Sequence, residues 1–134
     1  MRCLGFPLLL VAIVIFLPWP THAQEDALSV TEMAITTRIV HGNPVDSVGR
    51  ISSLAIRELY CFTKITAPDD TEREIVHVWY KDDQVVARCA LPVKGSSWRT
   101  YSKKAIAEGM AGDWRVDVLD SAGNVLKSKK FRLN

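Results

Sequence analysis

Short apolar runs broken by turn-forming clusters make up most of the chain, and none after residue 23 is long. Residues 34–40 are rich in β-branched side chains and end at His41-Gly42-Asn43-Pro44, a grouping that interrupts regular structure. Residues 54–65 contain Leu59-Tyr60-Cys61-Phe62-Thr63, dense in strand formers. Residues 75–80 alternate, Lys81-Asp82-Asp83-Gln84 turns, and residues 85–93 follow, with Pro92 near the end where a missing donor is tolerated. Residues 98–102 form the next strand. Residues 103–111 read as a helical turn or a loop, since Gly109 and Gly112 weaken a helix. Residues 114–119 are the clearest strand, with Trp114, Val116 and Val118 on one face and Arg115 and Asp117 on the other. After Ser121-Ala122-Gly123-Asn124, residues 125–133 close the chain. About seven short strands and no long 3.6-residue period predict an all-β fold, a small antiparallel immunoglobulin-like β-sandwich. A small barrel is the competing architecture.

The central hairpin has a testable register. A turn centred on Asp82-Asp83 sets Tyr80 against Val85, Val78 against Ala87 and Val76 against Cys89. This gives each strand one uniform apolar row, as a buried face requires. His77, Trp79, Val86 and Arg88 then face outward. Asp-Asp is a poor two-residue turn, because type I′ prefers glycine second, and a slipped register would invert both rows.

The N-terminus has a different character. Arg2 precedes an apolar run, residues 8–17, and Thr21-His22-Ala23 offers a cleavage site. Residues 1–23 therefore read as a signal peptide, the run being shorter than the roughly 20 residues of a bilayer span. Cys3 precedes the run and is not placed like a lipid-modified cysteine. Residues 24–33 read as a flexible tail or short helix, and residues 34–134 as the domain. Removing Arg2 leaves 16 basic and 15 acidic side chains, so the mature charge is 16 − 15 = +1, which gives no reason to expect nucleic acid as a partner. Residues 24–83 carry 6 basic and 11 acidic side chains, and residues 84–134 carry 10 and 4. Interleaved strands would erase this asymmetry; otherwise it makes a basic face.

Several residues suggest chemistry. His77 and Trp79 beside Arg88 would make an outward stacking platform for a sugar or aromatic ring, extended by Trp98 and Tyr101; against this, Trp79 is covered or its face is core. Trp114, with its valine companions, reads as the core tryptophan. Cys61 and Cys89 remain after cleavage and are candidates for a disulfide in an oxidising compartment. His41 and His77 with either cysteine match no metal-ligand spacing, so no metal or other cofactor is expected. Ser102, His77 and Asp117 form a triad on paper only, with no nucleophile elbow. Lys127, Lys129, Lys130 and Arg132 on the last strand read as charges that keep an edge strand from pairing, with a docking site as the alternative.

The segments Leu59-Tyr60-Cys61-Phe62-Thr63, His77-Val78-Trp79-Tyr80, Trp98-Arg99-Thr100 with Ser102-Lys103, and residues 112–120 stand in an order that resembles the bacterial domain of unknown function 2914 family, over roughly residues 34–133. The resemblance implies a small β-rich domain of exported or membrane-attached bacterial proteins, with no catalytic residue to carry over. In that family's Leu-Tyr-Cys-Phe segment the cysteine has no fixed partner, which weighs against a Cys61–Cys89 bridge. The expectation is a periplasmic or secreted, non-catalytic binding module of the bacterial envelope, for an envelope glycan or another envelope protein, with no membrane span after cleavage. The alternative is a small periplasmic enzyme with its site around His77.

Overall fold

The computed structural model describes residues 3–4 and 27–134. Seven long strands carry the fold: β2 (Ser29–Thr36), β6 (Glu58–Thr66), β7 (Arg73–Lys81), β8 (Gln84–Val93), β9 (Ser97–Ala105), β10 (Gly112–Leu119) and β11 (Val125–Leu133). Four two-residue strands, β1 (Cys3–Leu4), β3 (Ile39–Val40), β4 (Asn43–Pro44) and β5 (Arg50–Ile51), complete the described set. One sheet runs β1-β8-β7-β10-β11-β5, and a second runs β2-β6-β9. The chain is thus all-β, and the expected sandwich is found. Each sheet contains strands from both halves of the sequence, so the charge asymmetry along the chain does not become two opposed halves of the molecule.

Alternation decides which residues meet between the sheets. Ile75, Trp79, Ala87, Cys89, Leu91, Val93, Trp114, Val116, Val118, Phe131 and Leu133 come from the larger sheet, and Met33, Ile35, Leu59, Cys61 and Ile65 from the smaller. Trp114 stacks on Phe131 with centroids 5.8 Å apart, and Trp79 meets Phe131 edge-on at 6.2 Å. Such aromatic pairs add about 0.5–1.5 kcal/mol beyond the area they bury.

Three expectations need correction. Residues 29–33 belong to β2, with Met33 in the core, so the tail reading of residues 24–33 stops short of Ser29. Polar Ser29, Thr31 and Glu32 are the exposed side chains of this sandwich strand. Residues 103–105 extend β9 rather than starting a helical turn. In the hairpin, Tyr80 does pair with Val85, but a bulge at the next step sets Trp79 against Ala87, Val78 against Arg88 and His77 against Cys89. Val86 is the extra residue, so Ala87 and Cys89 keep the expected buried face and Arg88 the outer one, while Trp79 and His77 join the buried row and Val78 the outer. Asp82 and Asp83 both take positive φ, 49° and 63°, so the two-residue turn forms without glycine. Aspartate tolerates this region better than most side chains. Apart from residues 3–4, the expected signal peptide lies outside the described residues.

Candidate functional site

The bulge places His77 and Trp79 between the sheets, each fully buried. The outward platform is therefore corrected: these two side chains are core. Trp79 Nε1–H donates to Ser102 Oγ at 3.0 Å, Ser102 Oγ lies 2.7 Å from His77 Nδ1, and His77 Nε2 lies 3.1 Å from Thr63 Oγ1. One assignment satisfies the whole set: the Ser102 hydroxyl donates to Nδ1 of a neutral imidazole, whose Nε2–H donates to Thr63. Burial pushes the His77 pKa down to about 3, so the ring is neutral and the network is uncharged. His77 and Trp79 belong to the larger sheet and Thr63 and Ser102 to the smaller, so these bonds tie the two layers together.

The other expected residues do not join them. Asp117 sits next to inward Val116 and Val118 on β10 and faces the opposite side of the sheet from His77, so the paper triad is divided by the sheet itself. Arg88 is on that same outer face, cross-strand from Val78. Trp98 packs half-buried against the core opposite Ile65. Tyr101 lies on the outer face of the smaller sheet, edge-on to Tyr60 at 5.7 Å. Cys61 is a buried free thiol in the smaller sheet, whereas Cys89 is bonded to Cys3, so the Cys61–Cys89 bridge is corrected as well. His41 is exposed in the β3–β4 turn, remote in environment from buried His77. No group of three metal-binding side chains occurs among the described residues.

A cleft of about 680 Å³ opens instead on the outer face of the larger sheet, at the end marked by the β7–β8 turn. Tyr80, Arg115 and Lys130 form one cross-strand row on β7, β10 and β11. Asp113, Arg132 and Arg50 form the next, reaching β5. Asp82 and Asp83 of the turn complete the rim. The Arg115 guanidinium lies over the Tyr80 ring, 4.2 Å from its centroid, and bonds Asp83 at 3.1 Å and Asp117 at 3.0 Å. Ser128 Oγ–H in turn donates to Asp117 at 2.6 Å. Partial burial opposes the Arg115 charge, but Asp117, Tyr80 and Asp83 outweigh it and hold the guanidinium's pKa above its usual value. Arg132 pairs with Asp113 at 2.7 Å. Arg50 and Lys130 have no ion-pair partner among the described residues.

Backbone bonds fix the turn against β10. Asp82 N–H donates to the Asp113 carbonyl at 2.7 Å, and Asp113 N–H donates to the Asp82 carboxylate at 3.0 Å. The Lys81 ammonium and this N–H hold the Asp82 carboxyl below the usual carboxylate range. Gly112 permits the approach: its φ is +150°, and a Cβ there would stand 2.8 Å from the Asp82 carboxylate. The sequence signal for this site was the outward pair Arg115 and Asp117 on the clearest strand. That signal is weak beside the histidine and tryptophan one strand away, whose facing the bulge reverses.

Two packed sheets, antiparallel except for the short parallel β5–β11 pairing, with a network-sealed core and an ion-paired cleft on one open face define an immunoglobulin-like β-sandwich. An immunoglobulin-like protein from Pseudomonas aeruginosa superimposes with a TM-score of 0.53 over 81% of this chain and 97% of that one, at 9% identity, a likeness of fold alone. Residues 72–133, which hold β7 to β11, match the family described as protein of unknown function (DUF2914). Fainter likenesses, each with a TM-score of 0.48, are to an alkylpurine DNA glycosylase from Pseudomonas fluorescens at 12% identity, covering 80% of this chain and 30% of that one, and to a β-glucosidase from Kluyveromyces marxianus at 10%, covering 81% and 14%. No curated protein matches the chain.

Proposed function

We propose that the chain is an exported, non-catalytic binding module of the bacterial envelope, and that the cleft around Tyr80 and Arg115 takes a polar envelope glycan. The carrying observation is the row Tyr80–Arg115–Lys130, in which an aromatic ring holds a guanidinium in place beside Arg50 and Lys130, two cations without ion-pair partners among the described residues. A concave site with a few fixed polar groups suits a small polar ligand better than a flat protein face does. The carboxylates of Asp82, Asp83 and Asp113 accept from hydroxyl groups, while the cations meet acidic ones. The sealed position of His77 speaks against the alternative enzyme, since no substrate reaches a ring with no exposed atoms. Export is supported by the leader-like first 23 residues.

The test is calorimetry of the purified full chain with soluble cell-wall glycan fragments. Arg115→Ala and Lys130→Ala should each weaken binding by tenfold or more while the circular dichroism spectrum stays unchanged. Binding at wild-type strength in the Arg115→Ala, Lys130→Ala double variant would refute the assignment of the cleft.

A further inference from the structure

We propose that, once the leader is removed, the free edge of β8 pairs with the same edge of a second copy and that Cys89 joins the two chains through a disulfide; this rests on the export reading above. The edge displays the kind of occupant it accepts. β1 lies on it antiparallel, with Cys3 opposite Cys89 and Leu4 opposite Arg88, and the two cysteines are bonded. Cleavage after Ala23 takes Cys3 away. Two cysteines remain, and they are not equivalent. Cys61 is enclosed in the core, where burial pushes its thiol pKa far up and leaves it unreactive. Cys89 is buried too while β1 is in place, but it is on the outermost remaining strand of its sheet, beside the strand position that β1 vacates.

Geometry selects a second copy of β8 for that position. The Cα atoms of Cys3 and Cys89 are 4.3 Å apart, the spacing of a non-hydrogen-bonded antiparallel pair. The flanking residues Arg88 and Ala90 therefore turn their N–H and C=O groups toward the edge. A two-fold axis through Cys89 sets Cys89 against Cys89, Arg88 against Ala90 and Ala87 against Leu91. Both copies contribute the same surface, as a closed symmetric dimer requires. Pro92 follows the same alternation and has no N–H, so it ends the ladder on one side, and the bulge at Val86 ends it on the other. Pairing is confined to residues 87–91, too short to persist alone, and the covalent link holds it. Two Cys89 thiols and one small-molecule or protein disulfide give the Cys89–Cys89 disulfide and two thiols of the oxidant, by exchange through a mixed disulfide.

The experiment uses the complete precursor, produced in a bacterium, recovered from the envelope without reductant and alkylated. Intact mass and peptide mapping should show chains beginning at Gln24, linked Cys89 to Cys89, with Cys61 alkylated. Cys89→Ser should be monomeric and Cys61→Ser still linked. A Cys89→Ser background reports the register: chains carrying Arg88→Cys should link to chains carrying Ala90→Cys at least tenfold faster than to chains carrying Val45→Cys on a remote loop. Equal rates would overturn the pairing. Processed chains that keep Cys89 as a monomeric thiol after incubation with oxidised glutathione would overturn the proposal and leave export standing. Intact chains with a Cys3–Cys89 bridge would overturn the leader reading and the proposal with it.

Discussion

Tryptophan and histidine positions carry the largest single-residue consequences. Trp79 and Trp114 are both buried and share Phe131 as an aromatic neighbour. Replacing either with alanine should cost about 3–5 kcal/mol, a large part of the ~5–15 kcal/mol that holds a typical domain together. Denaturant midpoints of the two variants should fall by similar amounts; a Trp79→Ala protein of nearly wild-type stability would contradict the register described. His77 supplies a pH dependence of definite sign. Its folded pKa, about 3, lies below the ordinary 6.5, so the unfolded chain binds the proton first as pH falls. Its contribution is complete above pH 6.5 and diminishes as pH drops toward 3, by up to about 1.4 kcal/mol per pH unit. Urea unfolding at a series of pH values should show this slope in the wild type and a shallower one in His77→Gln.

At the level of elements, the β7–β8 hairpin determines both the fold's agreement with its sequence and the position of the cleft. Strand identity was legible because apolar alternation and turn residues mark each long strand, and residues 125–133 coincide with β11 at both ends. Facing in the hairpin was not legible. Val85 and Val86 are adjacent, similar and exposed, so nothing in the sequence announces that one of them is extra, yet that one extra residue moves Trp79 and His77 from one face to the other. The cleft's half-charged outer row on β10 was visible, but its partners Lys130 and Arg50 come from strands whose pairing only the fold reveals. Glycine 112 gives the hairpin's anchorage a direct test. Gly112→Ala forces the Asp82 carboxylate off the β10 backbone and strains a positive φ. The expected loss is about 1–3 kcal/mol, measured by thermal unfolding, together with weakened glycan binding. Full retention of both would mean that the turn is held by other contacts.

As a whole molecule, the sandwich divides its polar chemistry between two places. The Trp79–Ser102–His77–Thr63 chain is spent inside, linking the sheets, and leaves no group for solvent. The second collection, around Arg115, lies open on the larger sheet and is held by neighbouring carboxylates. The edge of β11 is paired only at Arg132 and Leu133, so Lys127, Lys129 and Lys130 guard the length of strand that β5 leaves uncovered. Removing these charges with Lys127→Thr and Lys129→Thr should raise aggregation in light scattering at unchanged monomer stability; no change in scattering would favour a docking role for the edge. The central claim, that the outer cleft and not the histidine region is the working surface, is tested most directly by residue-resolved NMR of the full chain titrated with soluble cell-wall glycan fragments. The account predicts shifts concentrated at Tyr80, Asp83, Asp113, Arg115 and Lys130, with Thr63, His77 and Ser102 unmoved. Shifts centred on His77 and Ser102, or on Tyr60 and Tyr101 across the molecule, would contradict it.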